Sequence, residues 1–426
     1  MSSFEARELT GPVALPARYP WILLGLLWLV AFLNSADRTI VIAVMPQLRS
    51  EFGLNGTQLA LISSTFFWIY AVAAFLSGRL GDRVSRSRVI LYGLAFWSFA
   101  TAFASFATGV AMLIVLRGVV ALGESTYFPA ATALISDWHQ PRMRSRTLSL
   151  HQTAVFAGAG LGALTSGWIA DRLGWRVPFL IYGAAGLALC ILIRKWLHDA
   201  PVRSAALTHG LKPEGPGPLR IVLSRPSALC LCMVFFLATG ASTGLTVWAP
   251  TYVHDVIRLS LGDSALYGSA TINSAGFISV PLGGLLADYL TRRSVIGRFY
   301  ALTLGLTLAA VLLLPLSLAG SALTVGLVLL ASSIGKGLFD GCIYAAMHDV
   351  VPPEARATAV GMMTMIGFFG AGITPIFVAQ AAERYGMAAG ITSLSVLYFI
   401  AIALLLLTRD ITRRTVLETQ QLETGR

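Results

Sequence analysis

Apolar residues in this chain gather into long runs, and polar clusters interrupt them at intervals that leave about 20 residues in each, the length a helix needs to cross roughly 30 Å of hydrocarbon. Twelve spans are read, near 21–45, 57–78, 89–107, 110–136, 147–170, 177–197, 227–253, 264–287, 297–318, 321–347, 357–380 and 386–408. The stretch HDAPVRSAALTHGLKPEGPGPLRIVLSRP (198–226) is polar and rich in Pro and Gly, as a linker between two halves would be. The pattern therefore predicts an all-α membrane protein of twelve transmembrane helices in two pseudo-symmetric six-helix bundles. Its parts are a tail at 1–20, a bundle at 21–197, the linker at 198–226, a second bundle at 227–408 and a tail at 409–426.

Composition supports this reading. The 426 residues are 56% hydrophobic and 12% charged, with a mean hydropathy of +0.74, too apolar for an ordinary soluble protein. The net charge of +11 invites a nucleic-acid partner, but its distribution excludes one. Arg49, Arg172, Arg176, Arg258 and Arg384 fall on one side of the predicted membrane, three bases fall inside spans, and the rest crowd the other side. The bias sets both termini in the cytoplasm of a multi-pass plasma membrane protein of bacterial inner-membrane type. The first 18 residues lack a signal-peptide core, so the first span is expected to be retained. Cys190, Cys230, Cys232 and Cys342 lie in or beside spans and read as buried thiols. Metal-ligand clusters, a Ser/His/Asp set and a nucleotide loop are not apparent, so neither an enzyme nor a metal site is expected.

Certain features recur in both halves. GRLGDRVSRSR (78–88) follows the second span and GGLLADYLTRR (283–293) the eighth, while a weaker copy, GWIADRLGWR (167–176), closes the fifth span on the opposite side. A carboxylate at such a helix end can accept charge-assisted bonds from an opposing end and latch a gate; Asp82, Arg83, Arg86 and Asp288 are the gating candidates. AGAGLGALTSG (157–167) and GFFGAGITP (367–375) occupy equivalent spans and predict close helix approach. The twelve spans, the central loop and the GRLGDRVSRSR motif resemble the major facilitator superfamily over essentially the whole chain. Tyr289 stands where that family usually has a base.

Charges inside the membrane carry the chemistry. In AFLNSADRTIVIAV (31–44), Asp37 and Arg38 lie deep in the first span, one turn beyond Asn34. Each charge costs roughly 2.5–3.5 kcal/mol at a helix centre, about 6 kcal/mol for the pair, unless partners or water receive it. In the fourth span Arg117 and Glu124 are seven residues apart, on one face and about 10 Å from each other. In the tenth, Lys336 and Asp340 are spaced i, i+4 and can pair with each other or face a substrate. Tyr70, Gln152, Thr153, Trp248, Asn273, Tyr344 and Thr364 are candidate hydrogen-bonding or aromatic wall residues, each with the alternative of an interface anchor or a side chain bonded to its own helix. His151 can titrate, but a lone histidine there is more simply structural.

The Asp-Arg pair of the first span, with Arg, Glu and then Pro in the fourth, resembles the anion:cation symporter family, proton-coupled carriers of sugar acids and other carboxylates. Spinster-type carriers are similar at the same positions. The resemblance implies that Arg38 and Arg117 contact an anionic substrate and that Asp37 and Glu124 take up protons; Lys336 and Asp340 depart from that family's pattern and stand, from their place in the tenth span, as a further candidate substrate contact and a further candidate proton site. It implies a monomer with no cofactor, driven by a proton gradient, whose partners are a small organic anion, protons and membrane lipids. Lysolipid or amphiphile transport is the alternative substrate reading, and a transporter-like membrane receptor is the alternative of another class.

Overall fold

The computed structural model describes residues 16, 18–80, 85–139, 144–199, 218–352 and 355–424, with side chains at 75–80, 136, 144–146, 149, 218, 357 and 422–424 left aside. Twelve helices are long and apolar enough to cross a membrane, and the described residues contain no strand. The first span runs Tyr19–Phe52, the fourth covers Val110–Ile135, the fifth Leu150–Leu173, the seventh Pro226–Ile257, the eighth Leu261–Thr291, the tenth Ala322–Val350 and the eleventh Thr358–Tyr385. They form two six-helix bundles. The start of the first span and the end of the twelfth lie on one face, the terminal face, and odd-numbered spans run from it to the far face.

The glycine-rich stretches do what their composition predicts. Gly158 and Gly162 leave no room for a Cβ against the backbone of Phe32 and Ala36 on the first span. In the other half, Gly370 sits equally tightly on the backbone of Phe236 on the seventh span. These contacts bring the helix bearing Asp37 and Arg38 to within backbone distance of the fifth span, which fixes the height of the charges.

Two spans are broken near mid-membrane. The fourth consists of helices Val110–Ser125 and Tyr127–Trp138, because Pro129 has no N–H to return to the Ser125 carbonyl. The tenth consists of Ala322–Asp340 and Ile343–Val350, parted at Gly341 and Cys342. Glu124 and Asp340 thus sit beside breaks. The expected tail at 409–426 is helical over Arg409–Thr424, and it docks through Arg225 to Thr419 (2.9 Å) and Ser227 to Thr415 (3.1 Å).

At the far face polar bonds tie the bundles together. Arg49 on the first span binds Asp255 on the seventh at 2.5 Å. Asp171, ending the fifth span, accepts the backbone N–H groups of Leu261 (2.9 Å) and Gly262 (2.8 Å), which open the eighth. Among the described residues, the cavity described below lies on the terminal side of this seal.

Candidate functional site

Three spans, the first, fourth and tenth, carry the mid-membrane charges. Arg38 lies at the bundle interface, and its Nε donates to Glu124 Oε2 at 2.6 Å, tying the first span to the fourth. Its Nη2 donates to Asn34 Oδ1, one turn earlier, at 2.9 Å. The guanidinium faces the Tyr70 ring with its carbon 4.5 Å from the centroid and lies 5.4 Å from that of Phe66. Phe66 is shared: the Arg117 guanidinium stacks on it at 4.6 Å.

Behind that ring is a second, closed layer. Asp37, 2% exposed, accepts from Thr101 of the third span at 3.3 Å, and Arg117, 4% exposed, reaches only the Asp37 backbone carbonyl, at 3.5 Å. Asp37 Oδ1, Arg117 Nε, Glu124 Oε1 and Asn34 Nδ2 are buried with no hydrogen-bond partner. Buried polar atoms are nearly always paired, and these four, gathered in one cluster, leave hydrogen-bonding capacity there for a proton, water or ligand.

A cavity of about 430 Å³ opens between the bundles on the terminal side of this cluster, within the range of small-molecule sites. Arg38, Tyr70, Gln152, Tyr344 and Thr364 line it, and so do Asn34 and Phe368. Of the mid-membrane charges, Arg38 reaches the cavity surface, with Glu124 bonded directly behind it. Arg117 and Asp37 do not line it, because Phe66 stands in front of Arg117 and the first span carries Asp37 toward the third.

Other expected wall residues have different places. Trp248 is fully buried, its Nε1 donating to the Pro375 carbonyl at 2.9 Å. Asn273 lies in a shallow groove between the fifth and eighth spans beside Phe156 and Gly160, its amide turned back to the Ser269 carbonyl at 2.8 Å. Lys336 donates to both Asp340 oxygens at 2.6 and 2.7 Å, so the pair satisfies itself. Thr153 accepts from Trp28 Nε1 at 2.9 Å. His151 Nε2 meets the Tyr127 hydroxyl at 2.7 Å, and that hydroxyl donates to the Leu27 carbonyl at 2.6 Å. The histidine is buried and its Nδ1 has no hydrogen-bond partner.

Of the gating candidates, Asp82 and Arg83 lie outside the described residues. Arg86 pairs with Asp137 across the starts and ends of the third and fourth spans. Its counterpart in the second half is Arg298 with Asp349 at 2.6 Å, and both pairs are separated by 51 residues. Asp288 stands 3.8 Å from the same Arg298. Arg86 and Asp288 therefore sit in clamps within one bundle rather than between bundles. Phe66, Thr101 and Phe368 escaped sequence reasoning: an aromatic or threonine inside an apolar span carries no local signal.

Two bundles of six spans, tied at one face and enclosing between them a cavity with a charged wall, define a membrane transporter rather than an enzyme. The chain belongs to the Major Facilitator Superfamily, whose model matches residues 27–375 and, in a second overlapping match, 275–424. It is 28% identical over 388 residues to a probable sulfoacetate transporter of Cupriavidus necator, covering 86% of this chain and 88% of that one. It is 26% identical over 396 residues to the hexuronate transporter of Bacillus subtilis, covering 88% and 93%. Several longer chloroplast relatives, an ascorbate transporter of Arabidopsis thaliana among them, are matched over only about half their length. The fold superposes on the crystal structure of a bacterial homolog of the human lysosomal transporter Spinster in an inward-facing, unoccupied conformation. The TM-score is 0.81 at 21% identity, over 95% of this chain and 99% of that one.

Proposed function

We propose that the protein is a proton-coupled symporter of a small organic anion, a sugar acid or other carboxylate, working by alternating access. The observation that carries the reading is the Arg38–Glu124 bond at the cavity wall: it joins two spans, it involves a group that can accept a proton, and it occupies the one base that faces the cavity among the described residues. Names of relatives that transport sulfoacetate and hexuronate agree with an anion.

The chemistry follows from that bond. Arginine stays charged at any pH the cell meets, so the switch is the carboxyl. While Glu124 is ionised it holds the Arg38 guanidinium. A proton on Glu124 removes the ion pair and leaves the Arg38 N–H groups free for a substrate carboxylate, so anion and proton load together. With both aboard, the net charge of the site is what it was when empty, and the bundles rock without a bare charge meeting the seal. Asp37, held by Thr101 beside Arg117, is a second proton site one layer back.

In the membrane this reading places both termini in the cytoplasm, on the basic side of the chain, and the protein acts as a monomer in a bacterial inner membrane. Amphiphile transport is the second reading, favoured by the apolar groove between the fifth and eighth spans, which Phe156, Phe277 and Ile278 line. Both are tested in proteoliposomes under an imposed pH gradient, offered sugar acids, aromatic acids, short hydroxy acids and lysolipids. Gradient-dependent accumulation of a carboxylate, abolished by Arg38→Ala, is the expected result. Lysolipid movement alone, or full carboxylate accumulation by Arg38→Ala, would overturn the anion reading.

A further inference from the structure

We infer that the anion carried is a monocarboxylate with an aromatic body, rather than a polyhydroxylated or dicarboxylic acid; the inference rests on the anion-carrier reading above. Two walls of one cavity argue for it.

The first wall holds the donors. Asn34 is 5% exposed and lines the cavity, and its Oδ1 is occupied by Arg38. That bond fixes which end of the amide is which, so the unpartnered atom is the Nδ2 amine, a donor. Arg38 faces the cavity and can take the two oxygens of one carboxylate once Glu124 is protonated, with the buried Asn34 Nδ2 behind it as a further donor. A second carboxylate would find no cation. Arg117 is screened by Phe66, and Lys336 is bound to both oxygens of Asp340. A dianion would enter the low-dielectric cavity with one charge uncompensated.

The second wall, from the C-terminal bundle, is mainly apolar. Val360, Gly361, Met365 and Phe368 form most of it, with Tyr344 and Thr364 also on it. Phe368 stacks on Tyr70 with centroids 4.9 Å apart and planes at 22°, so the aromatic surface continues from the face that holds Arg38 onto the opposite bundle. Nothing within 4 Å meets a Cβ built at Gly361, leaving open space beside that surface. A flat apolar body fills such a space and stacks on it. Against this wall the hydroxyls of a sugar acid would meet mostly carbon, and each hydroxyl left unpaired lowers affinity on the order of tenfold.

The test compares 3-phenyllactate, gluconate and glucarate on the full-length protein, by calorimetric binding in detergent and by counterflow in proteoliposomes, with protein-free vesicles correcting for passive leak. The expected result is 3-phenyllactate bound about tenfold or more tighter than gluconate and no exchange of glucarate. Phe368→Ala should cost about tenfold for 3-phenyllactate and little for gluconate. Should that variant fold poorly, Val360→Asn adds a polar partner without opening a cavity and should shift preference toward gluconate. Gluconate or glucarate preferred over 3-phenyllactate overturns the inference while leaving the carrier reading intact. Absence of exchange for all three overturns both.

Discussion

The two bundles carry their membrane charges in opposite ways. Glu124 and Lys336 are equivalent positions: each lies fourteen residues into its broken span, counted from Val110 and from Ala322. In the N-terminal bundle the position is an acid that reaches across to Arg38 on another helix, and four polar atoms around it go unpaired. In the C-terminal bundle it is a base that turns along its own helix to Asp340 and satisfies both carboxylate oxygens. A bond within one helix is indifferent to how helices move. A bond between helices, set among unsatisfied groups, has something to gain from a proton or a ligand, so under the proposed symport coupling falls to the first bundle and scaffolding to the second.

The largest expected effect breaks the first side of that contrast. Glu124→Gln keeps the shape and removes the proton-binding carboxylate, so gradient-driven accumulation should fall tenfold or more, to the level seen without a gradient, while substrate exchange continues. Accumulation and counterflow measured on the same proteoliposomes separate the two. Undiminished accumulation would move the coupling site elsewhere.

A smaller effect is expected from the other side. Removing one partner of a buried ion pair costs about 3–5 kcal/mol, but the Asp340 side chain is 36% exposed, and solvent screening brings the expected loss to about 1–2 kcal/mol. Lys336→Met alone should therefore lower thermal stability in detergent, and Lys336→Met with Asp340→Leu should recover most of it, since neither charge is then stranded. Gradient-driven uptake by the double variant should match the parent. If uptake collapses although stability is recovered, the C-terminal pair belongs to the mechanism and the contrast fails.

How much of this was legible in the sequence depends on what each residue costs. Charges in hydrocarbon are expensive, so Asp37, Arg38, Arg117, Glu124, Lys336 and Asp340 announce themselves, as do span number and the two halves. Which way each side chain turns does not show. The spans are apolar nearly all round, so periodicity marks no inner face, and Arg38 and Arg117 looked alike until Phe66 was seen between them. Trp248 and Asn273 read as wall residues because a polar atom in a span needs a partner, yet the Pro375 and Ser269 carbonyls supplied it. The weak third copy of the loop motif proved more informative than its sequence suggested: its acid, Asp171, is seen bridging the bundles, whereas Arg86 and Asp288 are seen in clamps within them.

That bridge gives the smallest effect, and it bears on the terminal and far faces rather than on the charges. Asp171 is exposed, and its two bonds go to the first backbone amides of the eighth span, where a helix end favours negative charge by about 0.3–1 kcal/mol. Asn keeps a carbonyl acceptor and loses the charge. Asp171→Asn should thus weaken the far-face seal by up to about fivefold in population, since 1.4 kcal/mol corresponds to tenfold. Spin labels at Asn55 and Arg384, exposed on the far face in opposite bundles, with the four native cysteines replaced, would report a longer-distance component growing in the variant by that factor. Arg49 and Asp255 remain as a second tie, so the seal should loosen rather than open. An unchanged distance distribution would mean that helix packing around Gly167 and Gly262 holds the far face without the carboxylate.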